Sequence, residues 1–328
     1  EELVGAGKGA TSTDAIIRVE NLTKEFDIRG AKKGQDTFLA VDDVSFACRP
    51  GQVTGFLGPN GAGKSTTMRI IAGLTPPTSG RALVGGADYR EIPNPATQVG
   101  VLLDASAQHA GRTGAEILRL AAMTMGVGRD RVDDMLEMVS LTPDEADRRV
   151  RNYSLGMRQR LGIATALIGD PRILILDEPA NGLDPAGIHW MRTLLRNYAD
   201  RGGTVLLSSH LLHEIEIIAD DLVVIGHGRI VARGTKEELL AGAGTRVRSL
   251  DDAALQTALQ AAGLVVTPSH DGGFTVDASG EEVGRAAAHV GVVLTELRPA
   301  DGAQLEEMFL QLTSETQREQ PTLEGALR

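Results

Sequence analysis

The chain has 328 residues, 42% hydrophobic and 23% charged, enough for about two domains with cores of their own and unlike a disordered or disulfide-stapled scaffold. Its 33 Lys and Arg against 44 Asp and Glu leave a net charge of -11, which argues against a sequence-independent hold on nucleic-acid phosphates. The single cysteine, Cys48, excludes an intrachain disulfide and fits a buried thiol in a reducing compartment. No run reaches the roughly 18 apolar residues of a membrane span. Residues 1–14 lack the apolar stretch of a signal peptide, so they are expected to be a flexible leader and the chain to stay cytosolic.

Residues 16–19 and 44–48 predict strands on either side of a polar surface loop, 27–37. A buried-type strand at 53–57 runs into a Gly-rich turn and then a helix over 65–72, which Gly73 and Pro76-Pro77 stop. Between 114 and 149 strand signals vanish, and Ile117, Leu118, Leu120, Met135, Leu136 and Val139 recur at helical spacing. A helical subdomain is therefore expected over about 104–168, with Met123, Met125, Met135 and Met138 packed inside it. Strand patterns resume at 173–176, 205–207 and 222–225, the last turning at His227-Gly228 into 229–232 as a hairpin. The whole stretch 15–242 reads as α/β with a largely parallel sheet.

Beyond Gly244 the character changes: from Thr245 to the end there are 6 arginines, no lysine and 13 acids. Strand 245–250, helix 251–262, strands 264–268 and 273–276, helix 281–290 and strand 292–297 give the order βαββαβ of a ferredoxin-like sandwich. A last helix at 304–313 would cap this small α+β domain, 243–313, before a frayed tail, 314–328.

Gly58-Pro59-Asn60-Gly61-Ala62-Gly63-Lys64-Ser65 fits the phosphate-loop pattern G-x-x-x-x-G-K-[ST]. Its glycines let backbone amides turn inward around a phosphate, the next helix adds its positive N-terminus, Lys64 reaches the β- and γ-phosphates and Ser65 suits Mg²⁺. Downstream, a buried strand ends in Asp177-Glu178. Asp177 suits a water-mediated Mg²⁺ contact and Glu178 suits orienting the attacking water, although acids after a strand are also common loop starts. Ser154 opens a helix expected over 157–168 and makes a second anion site, far in sequence from the first. A head-to-tail dimer, with ATP between one copy's phosphate loop and the other's Ser154 turn, would use both; an ordinary N-capped helix is the other reading.

Over residues 16–240 these motifs resemble the ATP-binding subunits of ABC transporters, a family with a P-loop NTPase core. Gly58 to Thr66, Thr66 included, is similar to the Walker A loop, 173–178 to Walker B, and Ser154 to Gln159, through Gly156, to the signature motif. Asn181-Gly182-Leu183-Asp184 resembles the D-loop and Ser208-Ser209-His210 the switch-histidine segment, although a satisfied core histidine remains an alternative for His210. The resemblance places Phe26 on the adenine ring. It implies ATP and Mg²⁺ as cofactors, a second copy and a membrane permease as partners, and a peripheral place on the cytoplasmic face of the plasma membrane.

Two positions depart from the family pattern. Leu155-Gly156-Met157 replaces the usual Gly-Gly-Gln, and Asp104 stands where a Mg²⁺-sensing glutamine is usual, with Gln108 as a substitute. Both variants resemble exporters of drugs, antibiotics, peptides or lipids; a soluble ABC ATPase uncoupled from transport is the alternative. The tail from Thr245 to Thr313 is expected to pack on the partner's tail, or else to be an appendage or a regulatory site.

Overall fold

The structure, a computed structural model, describes residues 16–27, 37–241, 244–269 and 272–299. The expected leader, nearly all of the loop 27–37, the helix 304–313 and the tail 314–328 lie outside the described residues. In chain order the elements are β1 (Ile17–Asp27), β2 (Thr37–Cys48), β3 (Val53–Leu57), α1 (Lys64–Ile71), β4 (Ser79–Val84), β5 (Val99–Leu102), α2 (Gly114–Met125) and α3 (Asp130–Met138). There follow α4 (Pro143–Ala146), α5 (Leu155–Leu167), β6 (Ile173–Leu176), α6 (Pro185–Asp200), β7 (Thr204–Ser209), α7 (Leu212–Ile215), β8 (Asp221–Gly226), β9 (Arg229–Thr235) and α8 (Lys236–Ala241). The last are β10 (Thr245–Ser249), α9 (Asp252–Ala261), β11 (Val266–Pro268), β12 (Phe274–Val276), α10 (Gly280–His289) and β13 (Leu294–Pro299). The chain divides into two compact units, residues 1–232 and 233–328.

In the first unit a six-stranded sheet has the order β5-β6-β7-β3-β8-β9 and is parallel from β5 to β8. Every residue of β3, β6 and β7 is buried, as strands covered on both faces require. β9 returns from β8 through His227-Gly228, both at positive φ, the backbone twist a two-residue hairpin prefers.

The sheet is not parallel throughout the unit. β1 and β2 belong to a separate antiparallel sheet, β2-β1-β4, and pair from Ile17–Cys48 out to Asp27–Thr37, well beyond the segments 16–19 and 44–48. The outer end of β1, Lys24 to Asp27, is mostly charged and exposed, and that of β2 is a continuous apolar run with Phe38 and Leu39 exposed and Ala40 and Val41 buried, so neither shows the alternation of a half-buried strand. One apolar cluster spans both sheets and α1, with Phe46 stacked on Phe56 at 5.2 Å between ring centroids and Met68 and Ile71 buried beside them. The short strands β4 and β5 carry little sequence signal for the same reason: β4 is half exposed and β5 has four residues, one of them Gly100. A side chain at Gly100 would sit 2.1 Å from the Ala166 carbonyl, so this glycine lets α5 close onto β5.

The helical stretch holds α2 to α5, with capping boxes at Thr113/Glu116 and Thr142/Glu145 starting α2 and α4. Leu118, Met135 and Val139 are buried as expected, but Met123 is 66% exposed and Met138 37%. The buried stripe of α2 runs through Ala115, Leu118 and Ala122, and Met123, one residue on, is rotated about 100° away from it.

The second unit has the antiparallel sheet β11-β12-β10-β13, which is the ferredoxin-like order for a βαββαβ chain. Val247, Leu255, Leu259, Phe274, Val276, Val283 and Ala287 form its own small core.

Candidate active site

The parallel strands β3, β6 and β7 deliver the chemistry-bearing residues at their carboxyl ends, the edge where open α/β sheets bind ligands. From Leu57 the chain turns through 58–63 into α1. A side chain at Gly58 would meet the Ile225 carbonyl at 2.4 Å, and Gly63 has φ 103° with the Ala40 carbonyl 2.5 Å from where its Cβ would stand. Only glycine satisfies both constraints, and Gly61 and Gly63 both take the left-handed region just before α1. Pro59 and Ala62 are buried, while Asn60 and Gly61 form the exposed crest. Lys64 is buried, with Nζ donating to the Gly58 carbonyl at 2.7 Å and the Pro59 carbonyl at 3.2 Å. Burial pushes its pKa down against the opposing pull of Glu178. Ser65 and Thr66 follow on the first turn of α1, Ser65 exposed.

β6 ends at Leu176, and the Asp177 amide donates to the Leu102 carbonyl of β5 at 2.7 Å, so the adjacent strand continues the ladder past the last strand residue. The Asp177 carboxylate is buried and accepts a short hydrogen bond from the Ser208 hydroxyl on β7. Glu178 then turns sharply, with φ 49°. Its Oε2 lies 2.8 Å from His210 Nδ1 and its Oε1 3.4 Å from Lys64 Nζ. One carboxylate at the end of β6 thus joins the phosphate-loop lysine to the histidine that follows β7. His210 is partly exposed and bonded to Glu178, which sets aside the core-histidine reading.

Other predicted residues stand elsewhere. Ser154 caps α5, accepting from the Met157 amide at 3.2 Å, and Asp184 caps α6, accepting from the Gly187 amide at 2.9 Å. Both are exposed, and no described hydrogen bond joins either to the loop 58–65. Gly156 packs where a side chain would be 2.8 Å from the Gly182 carbonyl, so the turns before α5 and α6 lie against each other. Asp104 follows β5 and is exposed; its Oδ1 accepts from the Ser106 amide at 2.7 Å and the Ser106 hydroxyl at 2.6 Å, bonds that hold its carboxyl below the usual range. The Gln108 side-chain amide donates to the Arg158 carbonyl of α5 at 3.0 Å. Phe26 is 41% exposed, beside Phe38 across the β1–β2 ladder, with Lys24 Nζ 4.9 Å from its ring centroid.

Two site contacts escape a reading by motif. Ser208 accepts from the Glu178 amide at 2.9 Å, and Gln159 Nε2 donates to the Glu178 carbonyl at 3.2 Å. Both residues stand in the quoted motif segments, but only pairing of β6 with β7 and packing of α5 brings them to Glu178.

A phosphate-type loop, an acidic strand end and a histidine at one sheet edge define a nucleotide-hydrolysing protein of the P-loop class. A family model described as "ABC transporter" matches residues 41–181, and one described as a domain of unknown function, DUF8746, matches 243–306. The chain is 35% identical to the bacitracin transport ATP-binding protein BcrA of Enterococcus faecalis over 90% of this chain and 96% of that protein. It is 39% identical to BcrA of Bacillus licheniformis over 66% and 68% of the two chains. It is 35% identical to the lantibiotic transport ATP-binding protein SrtF of Streptococcus pyogenes over 66% and 89%.

Among solved structures, an ATP-binding subunit of an ABC transporter matches with TM-score 0.60 and 29% identity, covering 68% of this chain and 91% of that one. The dimeric ATP-binding cassette MJ0796 with ADP and Pi has TM-score 0.61 over 67% and 98%, and at 21% identity shares the fold alone. The chain belongs to the ATP-binding subunits of ABC transporters: it is an ATPase that powers transport.

Proposed function

We propose that this ATPase works as a pair of copies on the cytoplasmic face of a membrane, driving a separate permease that exports peptide antibiotics or similar amphiphilic cargo. The relatives named for bacitracin and lantibiotic transport support the cargo class, and BcrA of Enterococcus faecalis matches across both units. Among the described residues no helix is long and apolar enough to cross a membrane.

Within one copy, the amides of Asn60, Gly61 and Gly63 together with Lys64 hold the phosphates, and Phe26 stacks on the adenine. Glu178 orients the attacking water and receives its proton at a carboxylate oxygen, while His210, hydrogen-bonded to Glu178, contacts the γ-phosphate. Ser154, Gly156 and Asp184 serve the nucleotide of the other copy; the outward position of Ser154 and Asp184 on their helix starts supports this. The Ser65 hydroxyl and the Asp177 carboxylate are hard oxygen donors of the kind Mg²⁺ takes alongside substrate phosphates, and no three-residue metal cluster occurs among the described residues. Mg²⁺ there would neutralise phosphate charge. Asp104, committed to Ser106, would act on that centre through water.

The observation that carries this reading is the Glu178 carboxylate between His210 Nδ1 and Lys64 Nζ. Glu178→Gln should lower ATP turnover by about 10² to 10⁴ while leaving ATP binding intact, and should accumulate an ATP-dependent dimer. Steady-state ATPase and sizing chromatography with ATP test it; near-normal turnover would overturn the role of Glu178.

A further inference from the structure

We propose that Ser208 is a positioning residue for ATP hydrolysis, its one hydroxyl fixing Asp177 and Glu178 to each other. The inference rests on the roles proposed above for those two acids. β6 and β7 pair in parallel with Leu176 beside Leu207, so the next residues, Asp177 and Ser208, are neighbours across the ladder. Ser208 is fully buried near the end of β7, directly after Val205, Leu206 and Leu207, a place where a hydroxyl is costly unless bonded.

Its bonding has one solution. The Glu178 amide can only donate, so Ser208 Oγ accepts there at 2.9 Å. The hydroxyl proton then goes to Asp177 Oδ1. A single oxygen therefore ties the side chain of one acid to the backbone of the next. That backbone needs tying: Glu178 is a non-glycine residue in the left-handed region, φ 49°, which the chain adopts only where its surroundings over-determine it. The Gln159 amide grips the Glu178 carbonyl from the other side at 3.2 Å, so the residue is held at both ends of its strained unit. In that conformation its side chain reaches both Lys64 and His210. Ser208 touches neither of those residues in any described hydrogen bond and acts through the two acids.

The test uses the full-length chain and compares Ser208→Ala, Ser208→Cys and Ser208→Thr with Glu178→Gln. Alanine removes both bonds, cysteine keeps the volume with a weak donor and acceptor, and threonine keeps the γ-oxygen. Ser208→Ala and Ser208→Cys should lower kcat about tenfold or more with the Kd for a fluorescent ATP analogue changed less than about threefold, and Ser208→Thr should recover most of the rate. In the nucleotide-free protein, hydrogen exchange across 176–180 should rise in Ser208→Ala and not in Ser208→Thr. If Glu178→Gln turns over normally, the reading of the acids fails. If Glu178→Gln is inactive while Ser208→Cys keeps kcat within about twofold, this inference alone is overturned. A folded Ser208→Thr as slow as Ser208→Ala would overturn it too.

Discussion

The two units of the chain are both sheets with helices, yet only one of them gathers its chemistry in one place. In the first, parallel strands all point the same way, so the ends of β3, β6 and β7 bring Gly58, Asp177, Glu178 and His210 to a single edge. Burial along the whole length of those strands leaves the ends as their functional surface. In the second, neighbouring strands alternate in direction, and the polar residues fall on one face instead. There Arg246 is beside Arg298 and Thr275, Arg248 is beside Glu296, and Glu296 pairs with Arg298 at 2.5 Å and Arg246 at 3.8 Å. Glu296 is thus one acid set among three arginines across the sheet. Parallel topology concentrates function, whereas antiparallel topology spreads polar groups over a face.

The comparison can be broken by perturbing one unit and reading the other. The largest effect should come from Leu255→Ala in the second unit, where a fully buried side chain leaves a cavity that costs about 2 to 5 kcal/mol of that unit's stability. Hydrogen exchange should locate the loss in α9, β10 and β12, and ATP affinity should stay unchanged. Reduced ATP affinity in the folded protein would show that the units are energetically coupled.

A smaller effect is expected at Lys64, whose charge-assisted hydrogen bonds are worth about 1.5 to 3 kcal/mol each. Lys64→Ala should weaken ATP by roughly tenfold or more in calorimetry, with hydrogen exchange in β10 to β13 unaltered. Unchanged affinity would remove the phosphate loop from the binding site.

The smallest concerns Cys48, whose thiol burial pushes up from 9.0 to about 12. Between those values the unfolded chain releases a proton that the folded one keeps, so this contribution to stability is full below pH 9 and falls as pH rises, by at most about 1.4 kcal/mol per unit. Denaturant titrations from pH 8 to 10 should show the decline, and Cys48→Ala should flatten it. An equal slope in both proteins would assign it to other groups.

Much of the site was legible because its pieces are local. Gly58 to Ser65 needs only a strand, a turn and a helix in succession, and Asp177-Glu178 needs only a buried strand that stops. The βαββαβ order of the second unit was equally readable, since each of its elements carries its own alternation or helical period. What could not be read were features without a regular local signal: the outer ends of β1 and β2, which lack alternation, the short β4 and β5, and the exposure of Met123 and Met138.

Sequence by itself determined the buried strands, the βαββαβ order of the second unit and the residues able to hold phosphate, metal and water, because backbone preference and hydrophobic period act over a few neighbours. Only the tertiary structure decided which of those residues meet. Ser208 reaches Asp177 and Glu178 because β6 and β7 pair in register, and Gln159 reaches Glu178 because Gly100 lets α5 close onto β5. Glu178 keeps a left-handed backbone at the centre of these contacts. Such contacts join residues about 20 to 30 positions apart, where strand register and helix packing, set by burial of the whole core, outweigh local preference.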